Sequence, residues 1–248
     1  MELQLLILLF IAGGVGGALY ATTQVAAPLF VVCIALLFLP TLGFEYQGVL
    51  LPLIATATVS FLPVLLLQWI QDMKGGKLDS SVLIALSPGA AMGGVIGAQV
   101  VSFMSPLSFK LTLSLLITLL LYQLLMSRRS IDTKITYLGD LNNHYLRIPI
   151  GLIVGAVSIM AGGVGKVLAE SLLAKTSVNK THRHATAAGV ALFVTIAAMV
   201  GFSVPAMPLN YPQAGGFIGA IAWLPCLVLA ISQLLFYLLC REKGNSLD

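Results

Sequence analysis

Charged residues are scarce in this chain: Asp, Glu, Lys and Arg make up only 9% of its 248 residues, against about 25% in a soluble domain. A sequence with so little polar surface cannot cover itself in water. Hydrophobic residues make up 58%, and they form continuous runs that match a hydrocarbon core of about 30 Å. Because backbone groups in lipid must be paired internally, continuous apolar runs favour helices. The sequence therefore predicts an all-α polytopic membrane protein whose environment is the lipid bilayer.

Cysteines are also few. The three cysteines, Cys33, Cys226 and Cys240, lie in or beside apolar runs at unrelated spacings, which argues against a disulfide framework or a thiolate metal site. The pair His182 and His184 has no carboxylate or cysteine close in sequence that would complete a metal site. A complete P-loop, a nucleophile elbow and a zinc-protease motif are all missing. We therefore expect no cofactor, no bound metal and no enzymatic activity.

Most of the basic residues lie in four segments, which is a signal of membrane topology and not of nucleic-acid binding. These segments are 71–81, 127–147, 175–184 and the tail from Arg241 onward. All four can be cytoplasmic only if residues 148–179 enter and leave the membrane on one side. We therefore interpret 148–179 as a hairpin that turns at Gly162–Gly165. The same argument makes 3–39 a hairpin that turns near Gly13–Gly17, with the N-terminus outside and the C-terminus cytoplasmic.

The pentapeptide Ala-Gly-Gly-Val-Gly occurs twice, at 12–16 and 161–165. Paired breaks in two halves of an apolar chain are typical of secondary transporters built from inverted repeats, which bind their substrate at the broken helices. We assign the repeats to 1–127 and 148–248 and a cytoplasmic linker to 128–147. With 166–179 counted as the return segment of its hairpin, the second repeat stops one helix short of the first, since 107–126 has no counterpart. The seven to eight apolar segments derive from runs at 3–21, 25–39, 48–70, 82–104, 107–126, 148–165, 185–204 and 217–240.

Two ionisable residues follow the second break. Lys166 and Glu170 are four residues apart, so on a helix they share a face and can pair. Ionisable groups inside a membrane are costly and usually face a cavity or a partner, so Lys166 could attract an anion while Glu170 balances it or carries a proton. The alternative is that Lys166 extends its ammonium into the headgroups, with Glu170 as its neutralising partner.

The first break is followed by hydroxyl and amide side chains in place of charges. Thr22, Thr23 and Gln24 could donate hydrogen bonds to an anion at the end of a broken helix, or they could bond neighbouring helices. The predicted anion-binding residues are Gly14, Gly16, Gly17, Thr22, Thr23, Gln24, Gly163, Gly165, Lys166 and Glu170.

Glycines recur at four-residue intervals elsewhere in the apolar runs. Small residues at this spacing let membrane helices approach closely. The glycines concerned are Gly89, Gly93 and Gly97, then Gly151 with Gly155, and Gly215 with Gly219.

The glycine pattern resembles that of the TauE/SafE family of sulfite and organosulfur-anion exporters. The segments Ala12-Gly-Gly-Val-Gly-Gly-Ala-Leu19 and Ala161-Gly-Gly-Val-Gly-Lys-Val-Leu168 are similar to the breaks that open each half of that family. The family's triple glycine is reduced to Gly16-Gly17-Ala18 in the first copy and becomes Gly165-Lys166-Val167 in the second. Further similar segments are Pro88–Ala98, His184–Gly189 and Pro212–Gly219.

The resemblance implies a secondary transporter of the plasma membrane that exports a small anion such as sulfite or a sulfonate. It would work by alternating access of the two halves, driven by an ion gradient, most simply protons. Its partners would be the anion, the bilayer and, as an open question, further copies of itself as a homo-oligomer. The alternative is a non-transporting membrane subunit or scaffold that docks a partner protein through its basic loops.

Overall fold

The computed structural model describes residues 2–23, 27–38, 46–115, 118, 144–174, 180–206 and 216–244. The helices within these ranges are α1 (Glu2–Thr23), α2 (Ala27–Phe38), α3 (Tyr46–Ser60), α4 (Leu62–Lys74), α5 (Ser80–Phe103), α6 (106–115), α7 (His144–Met160), α8 (Gly165–Leu173), α9 (Lys180–Ser203) and α10 (Trp223–Gly244). Two short antiparallel strands, β1 (Phe217–Ile218) and β2 (Ile221–Ala222), precede α10.

The predicted all-α membrane fold is confirmed. Five apolar helical stretches within the described ranges are long enough to cross a bilayer, and α3 and α4 together form one of them. Those two helices are separated only at Phe61, and Pro63 lies in the first turn of α4, where a missing backbone N–H is tolerated. Most of the predicted linker, 128–143, lies outside the described residues, and α7 already begins at His144.

Helices α5 and α7 pack backbone to backbone along the predicted glycine stripes. A Cβ atom on Gly97 would lie 2.8 Å from the Ala156 carbonyl oxygen, and Cβ atoms on Gly93 and Gly155 would collide with the carbonyl oxygens of Leu152 and Ala90. Small residues therefore do allow the close approach that the four-residue spacing predicts. Along α5, later glycines contact later residues of α7, so the two helices run parallel.

Helix α1 makes an equivalent parallel contact with α10. Gly13 lies against Leu229 and Gly17 against the backbone of Gln233, where a Cβ atom would lie 2.9 Å from the Gln233 Cα atom. The predicted break at Gly13–Gly17 is therefore wrong, because α1 is continuous to Thr23. These glycines remove side chains that would hold α10 away, and they do not bend the chain. Residues 24–26, between α1 and α2, lie outside the described residues.

The predicted break at Gly162–Gly165 is confirmed. Helix α7 ends at Met160 and α8 begins at Gly165. Between them Gly162 and Gly163 have φ angles of 77° and 90°, which residues with a Cβ atom rarely adopt. The Ser158 carbonyl accepts hydrogen bonds from the amides of Gly163 (2.8 Å) and Val164 (3.3 Å), so the reversal satisfies backbone groups that lipid could not.

The described parts of the basic segments lie at one end of the helix bundle, which we call the basic end. His182 Nδ1 lies 3.0 Å from the Lys77 carbonyl oxygen, and Arg147 lines a small pocket with Ser81. The charges of Lys77 and Arg241 both act on Asp72. The reversal between α7 and α8 allows the start of α7 and the start of α9 to lie at this same end.

The loop before α5 is also at the basic end. Asp79 caps α5, since its side chain accepts a hydrogen bond from the Val82 amide. The hydrogen bond from the Ser81 hydroxyl, at 2.6 Å, is the main cause that lowers the pKa of Asp79. The backbone amide of Asp79 donates to the Thr186 hydroxyl at 3.1 Å, which ties this loop to α9.

The strands β1 and β2 form a hairpin against the C-terminal end of α9, where the sequence predicts the start of a membrane helix. Gly219 has a φ of 59° and belongs to a turn, so its predicted role in a helix-packing stripe is wrong; Gly215 lies outside the described residues. The Ala220 amide donates to the Phe202 carbonyl at 2.9 Å, and the Ala222 amide donates to the Thr56 hydroxyl at 3.1 Å. These two hydrogen bonds satisfy backbone amides that have no helical partner.

The α5–α7 contact predicts a clear difference between two glycine substitutions. In Gly93→Ala the new Cβ atom would meet the Leu152 carbonyl, and overpacking of this kind costs about 1–3 kcal/mol. Gly75→Ala is the matched control, since its Cβ atom would have no neighbour closer than 3.4 Å. We expect Gly93→Ala to lower the thermal unfolding temperature in detergent while Gly75→Ala leaves it unchanged. Equal stability of the two variants would contradict the contact.

Candidate functional site

Lys166 is the second residue of α8 and is only 2% exposed. Its ammonium donates a hydrogen bond to the Tyr20 hydroxyl at 3.3 Å and lies 4.8 Å from the centre of the Tyr20 ring. Ionisable groups within the bilayer are rare and usually functional. The N-terminus of a helix also carries partial positive charge. The start of α8 therefore combines two sources of positive potential in a buried place.

Tyr20 joins four helices at the level of Lys166. Its hydroxyl donates to Gln68 Oε1 of α4. The ring packs edge-on against Phe61 at 4.7 Å and lies 5.8 Å from the ring of Tyr237 in α10. Tyr20 itself is completely buried. Because α1, α4, α8 and α10 meet at this side chain, a displacement of any one of them would move the ammonium or its hydrogen-bond partner.

Glu170 reaches towards α9. Its Oε2 atom lies 3.1 Å from Nδ1 of His184 in the first turn of that helix. The buried positions of α8 are Gly165, Lys166, Ala169 and Leu173, so Glu170 lies at the edge of the face that carries Lys166. Its charge nevertheless acts on Lys166. Glu170 is thus a neighbour of the lysine whose direct partner is a histidine at the basic end.

The reversal between α7 and α8 touches the start of α2. A Cβ atom on Gly163 would lie 3.1 Å from Pro28 Cβ and 3.7 Å from the Thr58 hydroxyl. That hydroxyl is buried and has no hydrogen-bond partner among the described residues. Gly165 lies beside the Ser158 hydroxyl, which would be 2.6 Å from a Cβ atom there. Hydroxyl groups therefore line the reversal just before Lys166.

The predicted site residues of the first half have other contacts. Gly14 lies against the Phe236 ring, and Gly16 lies against Ala27 of α2. Thr22 and Thr23 are exposed, and their hydroxyls donate to carbonyls of α1 itself, Thr22 to Ala18 at 3.1 Å and Thr23 to Leu19 at 2.7 Å. The structure therefore does not bring these hydroxyls to Lys166. Gln24 lies outside the described residues.

Three residues near Lys166 were not in the predicted site. Gln68 is predicted only as a polar group in an apolar run, whereas Tyr20 and Asp72 stand near the ends of such runs and give no local signal. Gln68 hydrogen-bonds the Asp72 side chain, and the Asp72 charge acts on Lys166. Only tertiary packing brings these groups together. Within the described ranges, no cluster of His, Cys, Asp and Glu could hold a metal ion.

Membrane-spanning helices arranged around a buried lysine at a helix reversal define a polytopic membrane protein with an internal cationic site. Residues 5–241 match the protein family described as Sulfite exporter TauE/SafE. The chain belongs to this family, which comprises membrane transporters of sulfite or related anions. The resemblance inferred from the glycine motifs is thereby confirmed. Comparison with curated proteins and with solved structures gives no match.

The two copies of the repeated pentapeptide predict opposite responses to alanine. Gly163→Ala would force a Cβ atom into a left-handed conformation against Pro28, and such strain costs about 1–3 kcal/mol. Gly16→Ala lies in a continuous helix, where alanine is favoured over glycine by about 0.5–1 kcal/mol, and this gain offsets the close contact of its Cβ atom with the Ala27 carbonyl oxygen at 3.3 Å. We expect only Gly163→Ala to lower the unfolding temperature. A larger loss in Gly16→Ala would indicate that α1 is broken.

Proposed function

We propose that this protein exports a small oxyanion such as sulfite or a sulfonate across the plasma membrane, and that the anion binds at Lys166. One observation carries the proposal: a lysine 2% exposed at the start of a half-helix that begins inside the bundle. A buried ammonium needs an opposite charge nearby. An anion bound here would be attracted both by the Lys166 ammonium and by the partial positive charge of the helix N-terminus.

The other groups around the reversal suit an oxyanion. The Thr58 and Ser158 hydroxyls can each donate a hydrogen bond to an oxygen atom, and Gly163 keeps the approach free of a side chain. Tyr20 positions the ammonium from the opposite side. In this proposal Gly163, Gly165 and Lys166 form the site, and Glu170 is a neighbouring charge. Gly14 and Gly17 support the site by letting α1 hold Tyr20 close to α10, and Gly16 lets α1 approach α2.

Two reciprocal contacts support an inverted-repeat mechanism. Helices α1 and α7 are the first helices of the two halves. Helix α5 follows the α3–α4 stretch in the first half, and α10 follows α9 in the second half, so α5 and α10 hold corresponding places. In the structure α1 packs on α10 and α7 packs on α5, both in parallel through glycines. The first helix of each half thus packs against a helix of the other half. Rocking of one half against the other, as in transporters with inverted repeats, would expose Lys166 to each side in turn.

We assign the basic end to the cytoplasm, since Lys and Arg are enriched in cytoplasmic loops. This places the N-terminus outside and the C-terminus inside. Single cysteines at Lys74 and His184, on a background without Cys33, Cys226 and Cys240, should then react only from the cytoplasmic side with an impermeant thiol reagent. A cysteine at Val204, which is 72% exposed at the other end of α9, should react only from outside. Labelling of positions 74 and 184 from opposite sides would contradict the arrangement.

Removal of the Lys166 charge should abolish transport. In proteoliposomes we expect Lys166→Met to reduce sulfite counterflow at least tenfold, because the anion loses its counter-charge, which corresponds to about 1.4 kcal/mol or more. Lys74→Met, which removes an exposed lysine at the basic end, should transport at the wild-type rate. Wild-type counterflow by a correctly inserted Lys166→Met protein would exclude the proposed site.

A further inference from the structure

Asp72 is a half-buried acidic residue in the last turn of α4, at the basic end of the apolar stretch formed by α3 and α4. Its Oδ2 atom is buried and accepts no hydrogen bond from the described part of the chain. A buried carboxylate oxygen without a donor is costly, and protonation removes that cost because the neutral group carries less charge into the protein. Asp72 is therefore a candidate proton-binding group.

A continuous series of side chains connects Asp72 with the anion site. The Lys166 ammonium donates to the Tyr20 hydroxyl, and the Tyr20 hydroxyl donates to Gln68 Oε1. Gln68 also hydrogen-bonds the Asp72 carboxylate; because its carbonyl oxygen already accepts from Tyr20, its NH2 group is the donor to Asp72. All donors in the series point from the lysine towards the aspartate. This direction of hydrogen-bond donation favours a positive charge at Lys166 and a negative charge at Asp72.

The charged and titratable groups around Asp72 come from each neighbouring element. On α9, His182 Nδ1 lies within hydrogen-bond distance of the Lys77 carbonyl oxygen, just after the end of α4. The groups whose charge interacts with that of Asp72 are Lys77 after α4, Arg241 and Tyr237 of α10, Lys166 of α8 and Tyr20 of α1. Lys77 is exposed, whereas Lys166 is the deeply buried cation among them.

We propose that Asp72 couples anion transport to proton movement: it binds one proton when a monovalent anion occupies Lys166 and releases that proton when the anion leaves. This inference rests on the proposed anion site. Without anion, the Asp72 carboxylate offsets the Lys166 ammonium. With anion, the anion offsets the ammonium and Asp72 is neutral. Lys166, Asp72 and any bound anion together then carry no net charge in either state, which avoids the cost of an isolated buried charge.

The charge balance defines the transport reaction. One monovalent anion and one proton cross the membrane together, in the same direction, and no net charge moves. The direction depends on the product of the two concentration gradients and not on the membrane potential. Export occurs whenever the ratio of internal to external anion concentration exceeds the ratio of external to internal proton concentration. The protein would thus release an anion that has accumulated, and net export would stop when the anion ratio equals the opposing proton ratio.

The experiment uses proteoliposomes of the full chain, with labelled sulfite and with methanesulfonate, a monoanion whose charge does not change with pH. In wild type, we expect a proton gradient to drive anion accumulation, which a protonophore abolishes and a potassium–valinomycin potential does not change. Asp72→Asn should keep one-for-one anion counterflow, because asparagine resembles the protonated acid, but lose gradient-driven accumulation at least tenfold. Its empty form would lack the Asp72 charge that acts on Lys166.

Two further variants test whether the proton is carried by the Asp72 carboxylate or by that of Glu170. Asp72→Glu restores a carboxylate and should regain gradient-driven accumulation, and Glu170→Gln, which removes the other carboxylate that acts on Lys166, should still respond to the proton gradient. Accumulation by Asp72→Asn that still follows the proton gradient would overturn the inference, as would wild-type flux that follows the membrane potential. The latter test remains decisive if Asp72→Asn does not fold. Absence of any anion counterflow in wild type would instead refute the proposed function.

Discussion

The hydrogen bond between the Lys166 ammonium and the Tyr20 hydroxyl is the contact on which the interior of this protein depends. A lysine that is 2% exposed must be held by polar partners, and Tyr20 is the partner that comes from the other half of the chain. Tyr20 in turn requires α10 and α4 to be close, because its ring and hydroxyl contact both. A charge placed by one short helix thus determines how several long helices are arranged.

Glycine makes that arrangement possible. In α1 and in α5 the absence of side chains lets a second helix approach to backbone contact, and both contacts join the first half of the chain to the second. The contact of α1 with α10 holds Tyr20 in place. The contact of α5 with α7 sets the direction from which the chain enters the reversal before Lys166. The proposed site therefore lies close to both of these helix contacts.

Part of this architecture could be predicted from the sequence. The glycine stripes of α5 and α7 and the reversal at Gly162–Gly165 follow from spacing and from the positions of basic residues. The first break could not be predicted, because the same pentapeptide is helical at 12–16 and reversed at 161–165. Local sequence is identical, so tertiary contacts with α10 decide the outcome. Tyr20 and Asp72 were missed for the same reason: each acquires its role only from residues distant in the chain.

The exchange of first helices between the halves has a consequence for biosynthesis. When α1 enters the membrane its glycine face has no protein partner, because α10 begins about two hundred residues later at Trp223. Until α10 is synthesised, that groove must be filled by lipid, and Tyr20 cannot complete its ring contacts. The nascent chain consequently carries an unfinished surface through most of translation, and chains that end early would present this surface to the quality-control machinery of the membrane.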